Sequence, residues 1–130
     1  MYDHKITLTN NIPVCLRPYK YLHNQKVEIE GQVKALLSTG FIRESSSCYA
    51  SPIVLVKKKD GSWRYCINFK KLNALTIKNK FPMPLIEDLL DELHGASYFS
   101  KLDLRSSYNQ VRMAEEDIYK TAFRAHSGLY

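Results

Sequence analysis

The sequence predicts an α+β fold in which antiparallel hairpins pack with helices. Residues 24–39 carry apolar side chains at the i, i+4, i+7 and i+8 spacing of one buried helix face. An Asp-Gly pair at residues 60–61 separates two short apolar stretches, which is a strong hairpin signal. A second hairpin is indicated where the apolar residues 121–125 meet the turn sequence His-Ser-Gly at 126–128.

The first half of the chain gives four predicted elements. An extended arm covers residues 5–21, where alternating apolar side chains are interrupted by Pro13, and its segment 17–21 is rigid, basic and aromatic. Asn24 is predicted to cap the helix over 24–39, and Gly40 supplies the left-handed residue that helix ends favour. Strands over 53–56 and 63–68 form the first hairpin, with Arg64 on the polar face of the second strand. A short helical turn is predicted over 70–75.

The second half begins with a helix predicted over residues 85–93. Its four carboxylates could suggest a metal site, but such charges are normally the solvated face of an amphipathic helix, and we reject the metal interpretation. The face predicted to be buried consists of Ile86, Leu89, Leu90 and Leu93. Further strands are predicted over 98–103, 110–113 and 121–125, with a polar turn over 115–117.

Charge is distributed unevenly along the chain, whose net charge is +6. Residues 57–80 contain eight basic side chains and one acidic one, whereas residues 81–104 contain five acidic side chains and one basic one. This pattern indicates a phosphate-binding surface beside a carboxylate-bearing one. A lysine-rich face that is merely solvated remains the alternative.

The spacing of the cysteines and the hydropathy of the sequence indicate the cellular environment of the protein. Cys15, Cys48 and Cys66 form no Cys-x-x-Cys pair, which argues against a disulfide framework or a zinc knuckle. No apolar run approaches the length of a membrane span, and no signal-peptide core is present. We therefore expect an intracellular protein, cytoplasmic or nuclear, with no membrane partner.

Asp103 stands at the end of the apolar segment 98–102 and is followed by short polar residues. A carboxylate at a strand end, next to backbone that can curl round an anion, suits a hard divalent cation. Aspartate is also a common turn and cap residue. Local sequence leaves both interpretations open.

Four segments appear in a fixed order: residues 50–64, Leu72-Asn73, the Phe-Pro-Met-Pro of 81–84, and 99–104 with Tyr108. Together, from about residue 17 to 130, they closely resemble the N-terminal part of the reverse transcriptases of gypsy-type long-terminal-repeat retrotransposons, which belong to retrovirus-like Pol polyproteins. The resemblance implies a truncated fingers–palm architecture of a right-hand polymerase. It implies fingers over about 1–78 and 111–130, and the first part of the palm over about 79–110.

The resemblance also implies nucleotidyl transfer to a primer 3′-hydroxyl with two Mg²⁺ ions. The implied partners are an RNA or DNA template–primer and deoxynucleotides. For the metal, the resemblance implies that Asp103 binds it and is catalytic, and that the Leu104 carbonyl also binds it. For the nucleotide, it implies that the backbone of Ser106 and Ser107 binds the triphosphate, that Lys58 (or Lys57) and Arg64 contact its phosphates, and that Tyr108 excludes a ribose 2′-hydroxyl. For the template, it implies contacts by Val54 and Cys66.

Two departures from the family pattern shape the functional expectation. The 130 residues contain no Asp-Asp pair, whereas the family uses a Tyr-x-Asp-Asp hairpin. One carboxylate cannot hold two Mg²⁺ ions, so we expect this chain alone to be inactive. Ser107 and Asn109 stand where the family usually has Gly and His, and a β-carbon at Ser107 could crowd a tight turn. The alternative function is a non-catalytic nucleic-acid-binding remnant of a retroelement; the oligomeric state stays open.

Overall fold

The computed structural model describes residues 2–130. The chain forms two compact units, one made of the residues up to Ile77 with Val111–Tyr130 and the other of Lys78–Gln110. The helices are α1 (His23–Ser38), α2 (Lys70–Leu75), α3 (Ile86–Asp91) and α4 (Ser107–Gln110), with a 3₁₀ helix over Glu115–Thr121. The strands are β1 (Ser51–Lys57), β2 (Trp63–Ile67), β3 (Phe123–Ala125) and β4 (Gly128–Leu129).

The first unit contains a four-stranded mixed sheet in the order β2-β1-β3-β4. Strands β1 and β2 are antiparallel, as are β3 and β4, and both predicted hairpins are confirmed. Gly61 adopts a φ of +84° in the first turn, a conformation that glycine reaches without strain. The parallel pairing of β1 with β3, which places Ser51 opposite Phe123, joins the two hairpins.

Two apolar clusters hold this unit together. Helix α1 packs on the sheet through the predicted face, and Ile29 and Val33 are almost completely buried. The cluster under α1 consists of Ile29, Val33, Ile53, Phe123 and Ala125. The second cluster, to which the N-terminal arm and α2 contribute, consists of Ile6, Val14, Tyr49, Leu72 and Ala122.

The two ends of α1 differ from each other in how well they follow the prediction. The helix begins at His23 rather than after a cap at Asn24, and the Leu22 N–H donates to the Gln25 side chain at 2.9 Å. At the other end Gly40 has a φ of +73°, as predicted. The Gly40 N–H bonds to the Leu37 carbonyl and the next N–H to the Leu36 carbonyl, which satisfies carbonyls that the helix leaves free.

The N-terminal arm is anchored by a buried ion pair. Asp117 accepts a hydrogen bond from the Ile6 N–H at 2.8 Å and one from the Lys120 ammonium at 2.5 Å. Lys120 also donates to the Ile6 carbonyl at 2.8 Å. The two side chains are only 8% and 13% exposed. The N-terminal arm is therefore bound by an ion pair of the 3₁₀ helix, which includes the segment predicted as a polar turn.

The outer edge of β2 is bound by a side chain of α1. The Gln32 amide donates to the Trp63 carbonyl at 2.9 Å and accepts from the Tyr65 N–H at 3.2 Å. The Glu28 carboxylate accepts a hydrogen bond from the same amide nitrogen at 2.6 Å. Because β2 lies at one end of the strand order, these bonds replace part of what a further strand would supply.

Replacing Gln32 with Ala should lower the free energy of unfolding by about 1–2 kcal/mol, because β2 loses two hydrogen bonds at its edge. Urea denaturation of the purified chain measures this change. Lys34→Ala, an exposed change on the same helix, is the control and should have little effect. Equal stability of the two variants would contradict the role of Gln32.

The second unit differs most from the prediction. Helix α3 forms, but its predicted buried face is exposed, with Ile86 at 75% and Leu90 at 60%. Residues 98–104 form no strand, since no segment of residues 2–130 pairs with them and a strand needs a hydrogen-bonded neighbour.

The strand predicted over 110–113 is also wrong. Ser107–Gln110 form α4 instead, and Met113 makes only an isolated bridge with His4. None of the helices within residues 2–130 has the length and apolar character needed to cross a lipid bilayer.

Candidate functional site

The β1–β2 hairpin has one core-facing side and one outward side. Val54 lies opposite Cys66, and Val56 lies opposite Arg64. Side chains alternate between the faces of a strand, so these four residues share one side. The residues that alternate with them along the strands, Ile53, Leu55, Tyr65 and Ile67, belong to the cluster under α1. The residues predicted to contact template and phosphate are therefore brought together on the outward face of the hairpin.

The hairpin separates the two lysines that the sequence left as alternatives. Lys57 lies opposite Trp63, and its ammonium lies 5.9 Å from the centroid of that ring. The alternation puts Lys57 on the side away from Arg64. Continuing it one residue past the strand puts Lys58 on the side of Val56 and Arg64, with its N–H bound to the Ser62 carbonyl at 2.8 Å. Lys58 therefore lies on the same side of the hairpin as Arg64, and Lys57 lies on the opposite side.

The turn of the hairpin contains a carboxylate that accepts two hydrogen bonds. Asp60 accepts hydrogen bonds from the Ser62 hydroxyl at 2.6 Å and from the Ser62 N–H at 2.9 Å. These bonds lower the pKa of Asp60, and the charge of Lys58 lowers it further. The carboxylate is thus ionised near neutral pH and fixes the shape of the turn.

Asp103 lies in the second unit, in a segment without regular structure, and its side chain is exposed. Leu104 follows it and is 61% exposed. A carboxylate and a backbone carbonyl are oxygen donors of the kind that Mg²⁺ prefers, so the chemistry of these two groups fits that ion. Within residues 2–130, no three His, Cys, Asp or Glu side chains cluster closely enough to hold a metal.

The residues after Asp103 form a tight turn into α4. Ser106 has a φ of +51°, an uncommon conformation for a residue with a β-carbon. The Ser106 carbonyl accepts from the Asn109 N–H at 2.9 Å, and the Gln110 side chain donates to the Arg105 carbonyl at 2.7 Å. The left-handed position is therefore Ser106 and not Ser107. Tyr108 projects from α4 and is 76% exposed.

A concave surface beside the hairpin was not predicted as a site. Three segments line a cavity of about 460 Å³, which is formed by Pro18, Tyr19, Lys20, Tyr21, Lys26 and His126. The Tyr21 hydroxyl donates to the Ile53 carbonyl. Burial raises the pKa of Tyr21, although contacts with backbone groups oppose this effect. The aromatic and basic composition of residues 17–21 was the only sequence signal, and it did not reveal the other two segments.

The first unit thus carries a basic hairpin at one end of a sheet that is backed by α1, and an exposed aspartate follows further along the chain. Residues 56–129 match the family model described as reverse transcriptase (RNA-dependent DNA polymerase). The match covers more than half of the chain, and the protein belongs to this family.

The similar curated proteins are retrotransposon Pol polyproteins. The chain is 39% identical over 132 residues to the retrovirus-related Pol polyprotein from transposon 297 of Drosophila melanogaster, which covers 98% of this chain and 12% of that protein. It is 42% identical over 123 residues to the one from transposon opus of the same fly, covering 91% and 12%. It is 34% identical to the transposon Tf2-3 polyprotein of Schizosaccharomyces pombe, covering 98% and 10%. The chain thus corresponds to part of the reverse transcriptase domain of such polyproteins and spans roughly a tenth of their length.

Solved structures agree on the fold. The prototype foamy virus protease–reverse transcriptase superposes with a TM-score of 0.84 at 21% identity, over 99% of this chain and 17% of that one. This likeness confirms the predicted α+β reverse transcriptase fold.

Proposed function

We propose that this chain forms the fingers and the first part of the palm of a gypsy-type reverse transcriptase. The division of the chain supports this assignment, because the compact units separate after residues 77 and 110. The resemblance implies fingers over 1–78 and 111–130 and palm over 79–110, so the boundaries agree within one residue. The transposon origin of the similar polyproteins supports the retroelement class.

The outward face of the hairpin is the observation that carries the proposed role in nucleic-acid and nucleotide binding. On this face Lys58 and Arg64 contact phosphates, as a point charge and a bidentate donor respectively. Val54 and Cys66, which are cross-strand partners, contact the template. A solved foamy viral protease–reverse transcriptase with a TM-score of 0.73 is in complex with double-stranded DNA, which supports a nucleic-acid partner for the same fold.

The metal-binding part of the proposal concerns the second unit. Asp103 and the Leu104 carbonyl hold Mg²⁺ in the whole enzyme, where two ions act, and the backbone of Ser106 and Ser107 binds the triphosphate. Tyr108 lies against the sugar and excludes a 2′-hydroxyl. Bound Mg²⁺ stabilises negative charge on the phosphoryl oxygens. The single carboxylate of Asp103 cannot hold two Mg²⁺ ions in place, so the 130-residue chain by itself is inactive.

Binding of a template–primer tests the role of the hairpin. Lys58→Ala and Arg64→Ala should each weaken binding by the purified chain about tenfold, because each removes a charged phosphate contact. Each should also lower the slope of log affinity against log salt by about one. Fluorescence anisotropy over a salt series measures both quantities.

Lys57→Ala is the matched control for this experiment. It removes the same charge from the adjacent position, but on the side of Trp63, and should have a clearly smaller effect. If Lys57→Ala weakens binding as strongly as Lys58→Ala, the outward face is not the binding surface.

A second candidate function is nucleic-acid binding without catalysis, and the same basic face supports it. Both functions predict steep salt dependence, because bound phosphates release counterions. They differ in nucleotide incorporation. A hybrid enzyme that carries this chain and extends a primer supports the polymerase role, whereas binding without extension in that hybrid supports the second function.

A further inference from the structure

The backbone of Arg64 is held on both edges of β2. On the inner edge, the Lys58 N–H bonds to the Ser62 carbonyl at 2.8 Å. Hydrogen-bonded pairs alternate along an antiparallel ladder, so Arg64 exchanges its N–H and carbonyl bonds with Val56, its cross-strand partner. The backbone groups on either side of Arg64 therefore point to the outer edge of β2.

Those outer groups are bound by one side chain of α1. The Gln32 amide donates to the Trp63 carbonyl at 2.9 Å and accepts from the Tyr65 N–H at 3.2 Å. The two groups belong to the peptide units immediately before and after the Cα atom of Arg64. Together with the bonds to Val56, they fix both peptide units and hence the φ and ψ angles of Arg64.

The amide of Gln32 is itself oriented by a carboxylate. Glu28 lies one turn earlier on α1 and accepts a hydrogen bond from the same amide nitrogen at 2.6 Å. A flipped amide would set its oxygen against the Glu28 carboxylate and the Trp63 carbonyl, so only one orientation fits. The Gln32 side chain is thus held at the helix as well as at the strand.

The side chain of Arg64 takes its direction from this backbone. Arg64 is exposed, and within residues 2–130 no carboxylate forms an ion pair with its guanidinium. A bidentate contact between a guanidinium and a phosphate requires a defined geometry, whereas a lysine ammonium acts as a point charge on a flexible stem. The phosphate contact of Arg64 therefore depends on its backbone more than that of Lys58 does.

We propose that Gln32 is a positioning residue for the phosphate contact of Arg64. By binding the peptide units on both sides of Arg64, it fixes the direction in which the guanidinium leaves β2. This inference rests on the proposed phosphate-binding role of Arg64. Loss of the Gln32 hydrogen bonds should weaken phosphate binding through Arg64 and leave the contribution of Lys58 unchanged.

The test is a double-mutant cycle on the affinity of the purified chain for a template–primer, measured by fluorescence anisotropy. Gln32→Met keeps the length of the side chain but removes its hydrogen bonds, and it should weaken binding about fivefold. In the Arg64→Ala background the same change should have no further effect, because the contact that Gln32 positions is already absent. In the Lys58→Ala background it should again weaken binding about fivefold. A change that only loosened the fold would weaken binding in all three backgrounds.

Ile29→Val is the matched control, because it lowers stability through the buried face of the same helix without removing a hydrogen bond to β2. It should leave the affinity unchanged. Gln32→Asn shortens the same amide by one methylene, so it no longer reaches both groups of β2, and it should give the same pattern if Gln32→Met does not fold. Thermal melting of each variant verifies that the fold is intact.

Two results would overturn the inference: an unchanged affinity of Gln32→Met, or a loss that persists undiminished in the Arg64→Ala background. If Arg64→Ala by itself still weakens binding in that case, the proposed role of the hairpin survives. If neither Arg64→Ala nor Lys58→Ala weakens binding, the hairpin role itself fails, and the positioning role of Gln32 fails with it.

Discussion

Replacing Asp103 with Asn should reduce primer extension more than about 100-fold in an enzyme that carries this chain. Groups that only orient a metal ligand contribute about 10- to 100-fold, and loss of the ligand itself is expected to exceed that. The measurement uses a hybrid in which residues 1–130 replace the matching segment of the transposon 297 polyprotein, to which they are 39% identical. Incorporation of a labelled deoxynucleotide in Mg²⁺ is followed over time.

Asp91→Asn is the control for this change, because it removes an exposed carboxylate from α3 in the same unit. Its activity should stay close to that of the parent hybrid. The 130-residue chain alone should show no incorporation above its own Asp103→Asn variant. Activity that survives Asp103→Asn in the hybrid, or incorporation by the isolated chain, would contradict the proposed metal role or the proposed inactivity, respectively.

The elements predicted correctly are those whose signals are local. Helix α1 was evident from the spacing of Ile29 and Val33 together with Gly40, and the first hairpin from its Asp-Gly turn. In each case a few neighbouring residues decide the backbone conformation and also show which side is buried. The outward face of the hairpin followed from the same information, because alternation along a strand fixes which side chains lie together.

The features that sequence reasoning missed depend on contacts between distant segments. The parallel pairing of β1 with β3, the Gln32 amide at the edge of β2, and the cavity at Tyr19 each join separate parts of the chain. The segment 98–103 shows the opposite error. Its composition favours a strand, but a strand exists only when a neighbour accepts its hydrogen bonds, and composition does not reveal that neighbour.

The buried pair formed by Asp117 and Lys120 provides the largest expected effect on stability. Asp117→Ala should lower the free energy of unfolding by about 3 kcal/mol, because it leaves the largely buried Lys120 ammonium without a carboxylate partner and the Ile6 N–H without an acceptor. Urea denaturation at neutral pH measures the loss. Glu116→Ala is the control: its ion pair with Lys5 is 2.9 Å long but about two-thirds exposed, so it should change stability much less than Asp117→Ala does.

The pH dependence of this loss gives an independent check of the pair. Burial acts to raise the pKa of Asp117, but the hydrogen bonds from Lys120 and Ile6 outweigh it, and the pKa lies below its ordinary value of 3.8. The contribution of Asp117 is therefore fully present above about pH 4 and is lost as the pH falls through the lowered pKa. The hydrogen bond to Asp117 raises the pKa of Lys120 above 10.5, so its contribution is lost only as the pH rises beyond that value.

The stability difference between the parent chain and Asp117→Ala should consequently stay constant from about pH 5 to pH 9 and shrink in acid. Replacing both residues together, as Asp117→Leu with Lys120→Met, should recover much of the loss, because an apolar pair leaves no buried charge unpaired. A loss for Asp117→Ala no larger than that for Glu116→Ala would show that the arm is held by the apolar contacts of Ile6 and Val14 and not by the ion pair.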